Sequence, residues 1–573
     1  MARAAVPATQ QGAPIRQWRP LLQYTALAAV AFLVLYPVLL LVASSFVVSP
    51  KGAPVSLGLS TWSNALSEPG VRTALWNTLA LVLARQSISF VIAIVIAWVI
   101  ARTDIPGQRW LEFMFLLAFF LPTVPVVEAW VLLLDPDYGI INAALSVLPW
   151  VRKPAFDINT FAGIIWVHLA HTAIAVKIVL LVPLFRTMDS SLEEMARMSG
   201  GSTLGVLWRI SLPILAPGLL IVFLIGSIGT IQSFEIEQIL GPPIRFSIFS
   251  NEVFRLINRD PPNYAAATSL SSFVLFMMVP LIVAQRWTTN RSQSATVGGR
   301  YRNTTIALGR WRRPAFAVIL GFALLTAVVP IAILLVFSFA RKFGYYQIEH
   351  PWTTDNWTRV FTDQTFLASL NNSLQLGVGT AIAGMVGFSL LAYLTVRSRF
   401  AWRGTLDVLT WLPSVLPGII LSLALLDFYL GSPIFRPLYG SILGLIIATF
   451  ISCMTIGVQV IKINLIQLGS ELEEAAHVAG ASWWQTYRRV ILPLTMPSIL
   501  LCGTLCFALA VRNVSNVVFL GTANTRPLSL LQLDYMTEGW YEPGCVVGLV
   551  LAVLTTAVAA IAALYGARFE IAR

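Results

Sequence analysis

Apolar residues along this chain come in long unbroken blocks, not on one helical face and not in strand-like alternation. Twelve blocks are long enough to cross about 30 Å of hydrocarbon. They run over residues 21–47, 75–101, 110–134, 161–183, 214–240, 266–285, 315–340, 372–396, 405–430, 441–467, 495–520 and 545–567. The pattern predicts an all-α integral membrane protein with twelve transmembrane helices. Arg3, Arg16 and Arg19 before the first block resemble the start of a secretory leader. The block is too long for a leader's apolar core, and it is read as a retained first helix.

Landmarks recur along the chain. Pro37 and Ser45-Phe46 return as Pro330 and Ser338-Phe339; Trp62, Asn77, Arg102, Glu112 and Leu121-Pro122 return as Trp357, Asn372, Arg397, Asp407 and Leu416-Pro417. Glu193-Glu194, Gly200 and Leu212-Pro213 return as Glu473-Glu474, Gly480 and Leu492-Pro493. The separation falls from 295 residues (Arg102 to Arg397) to 280 (Glu193 to Glu473), which places one insertion in the loop 135–160 of the first copy. Each copy holds six blocks, an even number, so the two repeats run parallel through the membrane. The expected division is a cytoplasmic segment 1–20, a first repeat 21–285, a basic linker 286–314, a second repeat 315–567 and a cytoplasmic tail 568–573.

Composition agrees with burial in lipid. The 573 residues are 57% hydrophobic and 11% charged, less than half the charged fraction, about a quarter, of a soluble domain. The net charge of +12 reads as topology: with the N-terminus inside, cytoplasmic segments hold 22 of the 38 basic residues and outer loops 12, with four inside spans. The basic residues are spread over short loops, which argues against a nucleic-acid partner. Cys453, Cys502, Cys506 and Cys545 lie in or beside spans without metal-ligand spacing and are expected as small apolar core residues.

Two long loops on the inner face, 186–213 and 468–493, match each other. One reads Leu192-Glu-Glu-Met-Ala-Arg-Met-Ser-Gly200 and, nine residues on, Ile210-Ser-Leu-Pro213; the other reads Leu472-Glu-Glu-Ala-Ala-His-Val-Ala-Gly480 and then Val490-Ile-Leu-Pro493. Acidic residues suit a helix N-terminus, and Gly200 and Gly480 a sharp turn. Pro213 and Pro493 suit the first turn of the following span. The expected product is a helix-turn-helix knuckle able to pass rigid-body motion from a soluble partner into the membrane.

This pattern resembles the signature loop, E-A-A-x-x-x-G-x9-I-x-L-P, of binding-protein-dependent ABC importer permeases with the type I fold. Glu194, Ala196, Gly200, Ile210, Leu212 and Pro213 match it in the first copy; Glu474, Ala475, Ala476, Gly480, Leu492 and Pro493 match it in the second. Met195 and Val490 depart from it. The resemblance implies two coupling helices, with Glu193 and Glu473 at their starts, docking on two copies of a cytoplasmic ATP-binding subunit. It also implies an extracytoplasmic substrate-binding protein and a place in the bacterial inner membrane with both termini cytoplasmic. The chain has no Gly-Lys dipeptide and hence no P-loop. It is therefore expected to be no enzyme and to bind no cofactor, with ATP and Mg on the partner. A secondary transporter shares the helix count but has no need of paired knuckles.

Three stretches resemble the iron(III) importer group: Arg102-Thr-Asp-Ile-Pro-Gly-Gln-Arg109, Leu134-Asp-Pro-Asp-Tyr-Gly-Ile-Ile-Asn142 and Ser233-Phe-Glu-Ile-Glu-Gln-Ile-Leu-Gly241. Thiamine, polyamine and aminoethylphosphonate permeases are similar too. In the second half Val511-Arg-Asn-Val-Ser-Asn516 keeps a basic residue and lacks the group's acid. Ionisable residues at membrane depth are costly and usually face a cavity or a partner. Glu128, Glu235, Glu237, Asp427 and Arg512 are therefore candidates for the pathway, and Arg85 lies at similar depth; the alternative for Glu235 and Glu237 is an ion pair between the halves, for instance with Arg512. His168 and His171 share a helix face and are expected as packing histidines, no third metal ligand being near.

Charge bias places the linker inside. A cysteine at Ser292, with native cysteines removed, should resist a membrane-impermeant thiol reagent in intact cells; ready labelling would reverse the topology.

Overall fold

The computed structural model describes residues 15–48, 56–151, 154–188, 190–200, 202–293, 305–346, 348–398, 400–469 and 471–571. Residues 1–14 of the N-terminal segment, 294–304 of the linker and the last two residues lie outside them. Among the described residues the chain is all-helical, with isolated β-bridges and no strand. The first half comprises α1 (Ile15–Ser44), α2 (Pro69–Arg102), α3 (Gln108–Phe120), α4 (Thr123–Leu134), α5 (Phe161–Arg186), α6 (Ser190–Met198), α7 (Leu207–Ile231), α8 (Glu235–Leu240), α9 (Phe249–Asn258) and α10 (Tyr264–Gln293). The second comprises α11 (Arg312–Ala327), α12 (Val329–Ser338), α13 (Gln364–Arg397), α14 (Arg403–Trp411), α15 (Gly418–Gly431), α16 (Ile442–Gln467), α17 (Glu471–Val478), α18 (Trp484–Arg512), α19 (Leu528–Glu538) and α20 (Tyr541–Ile571).

Nine of these helices are long and apolar enough to span a membrane, and three bent pairs bring the number to twelve if each pair counts as one span. The chain is a multi-pass membrane protein. Two expected straight spans, 110–134 and 405–430, are broken: α3 and α4 meet at 100°, and the corresponding pair before and after Leu416-Pro417 meets at 109°. The break falls at Leu121-Pro122 and Leu416-Pro417, the same place in each repeat. Proline has no N–H to continue the helical ladder and drives its predecessor into extended backbone, as at Leu121 (ψ 135°) and Leu416 (ψ 118°). Two other spans end early. α7 stops at Ile231, so Glu235 and Glu237 stand on the separate short α8, and α18 stops at Arg512. At the other end of the half, α10 continues to Gln293, past the expected start of the linker at 286.

The first helix of each half crosses to the other half. α1 packs on α10 of its own half and on α14 and α15 of the second, while α11 and α12 pack on α3 and α4 of the first and α12 also on α20. Aromatic rings mark the crossing: Phe32 and Tyr36 meet Phe428 edge-on at 5.7 and 5.4 Å. One apolar core therefore contains residues of both halves, with Val34 and Leu41 beside Ile420 and Ala424. Within the linker, Ile306 is buried and pairs its backbone with Arg102 and Asp104, which pins the approach to the second half to the C-terminal end of α2.

Crossed first helices and a shared core mean that the linker's covalent bond is not what joins the halves. Residues 1–298 and 299–573 co-expressed as two chains should purify together through one affinity tag; recovery of the tagged half alone would refute the shared core.

Candidate functional site

The two matched loops, 186–213 and 468–493, share one construction. Each begins with a short helix, α6 or α17, turns at a glycine with positive φ (Gly200 at 86°, Gly480 at 82°) and rises into a long helix. A Cβ added at either glycine would meet nothing within 4 Å. The glycine is thus required by backbone conformation, and the space beside it is open to a partner. Beyond the turn the structure departs from expectation. The second limb is not a separate helix ending at a proline-started span; it continues through π-helical turns at Leu207–Ser211 and Tyr487–Ile491 directly into the span. The shifted hydrogen-bond register of a π turn accommodates the missing N–H of Pro213 and Pro493. Any rotation of the knuckle is consequently carried straight into α7 or α18.

The adjacent glutamates of each motif have different environments. Glu193 is 2% exposed and turns inward, where Oε2 accepts from Arg102 Nε at 3.0 Å and Nη2 at 2.6 Å, and Oε1 accepts from Ser211 Oγ at 2.8 Å. Arg102, 1% exposed, also donates to the Met188 carbonyl. This cluster bolts α6 to the C-terminal end of α2. Glu473 does the same toward α13: its Oε1 lies 3.1 Å from Arg397 Nε, without hydrogen-bond alignment, and Arg397 donates to the carbonyls of Leu465 and Leu468. Glu194 is partly exposed, and Glu474, Ala475 and Gly480 are exposed. Ala196, Ala476, Ile210, Leu212 and Leu492 are partly buried, and Pro213 and Pro493 are exposed. Glu193 and Glu473 are therefore positioned to hold the knuckle, and Glu194 and Glu474 to face outward. Nothing in the sequence pattern alone linked Arg102 to Glu193, ninety-one residues apart. Their joint recurrence as Arg397 and Glu473 was the available signal.

The intramembrane candidates separate into pairings. Glu128 is fully buried, accepts from Gln532 Nε2 at 2.9 Å and touches Cys545 Sγ at 3.6 Å. Asp427 accepts from Ser44 Oγ at 2.6 Å. Each of these carboxylates links the two halves. Arg512 donates to the Phe119 carbonyl at the negative end of α3 and lies 4.9 Å from the Phe119 ring. Glu235 accepts from Ser515 Oγ at 2.9 Å, again across the halves. Glu237 stays within the first half, bonded to His168 Nε2 at 2.6 Å and Ser233 Oγ at 2.7 Å. Neither Glu235 nor Glu237 forms an ion pair with Arg512 among the described residues; the separate α8 holds both carboxylates on other partners. His171 contacts Thr123 Oγ1 at 3.3 Å. No group of three or more His, Cys, Asp or Glu among the described residues could hold a metal ion.

An all-helical, multi-pass chain with two knuckles on a repeated helical plan has the architecture of the type I fold. Residues 379–571, within the second half, match the family described as "Binding-protein-dependent transport system inner membrane component". It is 26% identical over 378 residues to a "Ferric transport system permease protein" of Actinobacillus pleuropneumoniae, covering 65% of this chain and 54% of that one. The chain thus spans about half the length of that relative. A "Probable ABC transporter permease protein" of Sinorhizobium fredii is 27% identical over 503 residues, covering 84% of this chain and 86% of that protein. The "Sulfate transport system permease protein" of Escherichia coli is 25% identical over 219 residues, 36% of this chain and 75% of that one.

Breaking a buried, hydrogen-bonded ion pair leaves an uncompensated charge and costs about 3–5 kcal/mol, whereas a partly exposed pair is worth about 1 kcal/mol. Arg102→Ala should lower the thermal midpoint of the purified protein clearly more than Arg397→Ala. Equal small shifts would show that the first pair is not the stronger bolt.

Proposed function

We propose that this chain is the membrane-spanning subunit of an ATP-driven importer and that its cargo is iron(III) delivered by an extracytoplasmic binding protein. The observation that carries the importer reading is the pair of knuckles. Each has an inward glutamate tied to a long helix, an outward glutamate, an open αL glycine and unbroken continuation into a span. A secondary carrier has no use for two such levers.

On this reading two ATP-binding subunits, holding ATP and Mg, receive the loops 186–213 and 468–493 on the cytoplasmic side, where both termini also lie. Glu194 and Glu474 face the partner, and Gly200 and Gly480 set the angle at which each short helix enters it. Closure of the ATPase pair draws α6 and α17 together. The Arg102–Glu193 and Arg397–Glu473 bolts then pull on the inner ends of α2 and α13, while the second limbs turn α7 and α18. The space between the halves opens outward to the docked binding protein, and hydrolysis resets it. Chemistry stays on the partner; this chain converts its motion into access. The cargo rests on the names of ferric relatives and on the Ser233-Phe-Glu-Ile-Glu stretch, since each of the carboxylates described above already has a partner within the chain.

Gly480→Asp requires a side chain at φ near +82°, a strain of about 1–2 kcal/mol, and projects a charge into the partner's place. Gly480→Asp and Glu474→Arg should each abolish transport and co-purification of the ATPase while leaving membrane levels within about twofold. Normal transport with both loops altered would sink the importer reading. For cargo, deletion of the gene should reduce uptake of radiolabelled iron at least severalfold and spare aminoethylphosphonate and sulfate. Unchanged iron uptake with loss of either anion would retire iron and leave the coupling mechanism intact.

A further inference from the structure

The two halves share a backbone plan but differ sharply in one place. In the first half, α2, α5 and α7 pack together and bring Arg85, Gln86 and Ser89 of α2 against Lys177 of α5. Lys177 Nζ, 3% exposed, donates to Ser89 Oγ at 2.8 Å and to the Ala173 carbonyl at 2.9 Å, both neutral acceptors. Ser89 lies one turn from Arg85 and donates to its carbonyl at 2.6 Å. Arg85 is 8% exposed, and its Nε has no hydrogen-bond partner among the described residues; the same holds for Gln86 Oε1 and His171 Nδ1. The carboxylate in electrostatic range of Arg85 is Glu237, whose oxygens are already engaged by His168 and Ser233. Two cations thus lie at membrane depth, Lys177 on neutral acceptors and Arg85 near a carboxylate that is already occupied. An uncompensated charge there is costly enough that its persistence signals function.

Space for the cluster is made by Gly226 on α7, where a Cβ would come within 2.7 Å of the Gln86 amide and 3.0 Å of Lys177 Cε. The repeat equivalents remove the whole arrangement. Arg85 and Ser89 become Thr380 and Gly384, Lys177 becomes Gly457, His171 becomes Ile451 and Gly226 becomes Cys506. The vacated volume in the second half is filled by Phe388, which is fully buried, stacks on Phe450 at 4.6 Å and would meet a Cβ on Gly457 at 2.2 Å. One half is built to hold charge and the other to exclude it.

We infer that the first half alone carries an intramembrane oxyanion site, with Arg85 and Lys177 as its cationic donors and Gln86 beside them. The guanidinium offers a planar fork of donors matched to phosphate, sulfate, phosphonate or carboxylate, and the ammonium adds a point charge. The oxyanion is either free or bound to ferric iron as a chelating ligand. The site stands on the fold alone; its use in transport rests on the importer reading.

The test is thermal unfolding of the purified full-length chain in detergent, titrated with sodium sulfate, phosphate, citrate or ferric citrate against sodium chloride at equal ionic strength. The wild-type midpoint should rise by several degrees with at least one oxyanion. Arg85→Gln and Lys177→Gln should each abolish that rise, while Thr380→Val, at the equivalent place in the second half, should keep it. A rise with sulfate or phosphate identifies a free oxyanion, and one with ferric citrate but not citrate identifies the iron-borne form. No rise with any of these overturns the site, as does a rise that both glutamine variants retain. If either variant fails to fold, the wild-type titration still decides whether oxyanions bind, and the other variant decides where. Oxyanion binding in a chain that neither recruits an ATPase nor transports would leave the site standing and refute the importer reading.

Discussion

Hydrocarbon offers no hydrogen bonds, so a charge or a broken backbone carbonyl inside this protein is costly unless the chain or a ligand supplies its partner. That constraint makes the halves interdependent. Glu128 finds Gln532, Asp427 finds Ser44, Glu235 finds Ser515, and Arg512 finds the carbonyl end of α3. Every one of these contacts crosses between repeats. The proline-broken helices depend on the same rule, since α4 and α15 are covered by the first helix of the opposite half. The crossing of α1 and α12 is thus both a packing device and the shield over irregular backbone.

The face that carries the two knuckles uses a related arrangement for a different purpose. Arg102 and Arg397 end long helices, where a cation suits the helix dipole, and each reaches the first glutamate of its knuckle. The two bolts differ in strength. Ser211 completes the first cluster at 2.8 Å, and its place in the second repeat is taken by Ile491. Tyr393 approaches Glu473 only at 3.5 Å. The halves therefore present similar levers with unequal anchoring, as they present similar helix packing around a charged centre in one half and a stacked phenylalanine in the other.

Much of this was legible in residue order. Block length gave the spans, the 295- and 280-residue offsets gave the parallel repeat, and the Glu-Glu to Gly to Leu-Pro spacing gave the knuckles, because lipid thickness, chain direction and glycine's left-handed backbone act locally. Pro122 and Pro417 were equally visible, yet the blocks around them read as straight spans: hydropathy measures transfer from water and is blind to a 100° bend. The pairing of Glu237 with His168 and the inward turn of Glu193 were hidden for another reason. Periodicity places a side chain on a face, but which neighbour occupies that face depends on how helices distant in sequence pack.

The sequence by itself determined that this is a double-length, twelve-block membrane protein with two matched knuckle loops, since burial in lipid and local turn geometry are properties of short segments. Only the tertiary structure decided that the first helices cross between halves, that most intramembrane acids serve as staples, and that Arg85 and Lys177 are left together in one half. Those outcomes depend on competition among many possible partners for each buried charge, and the winner is chosen by three-dimensional packing.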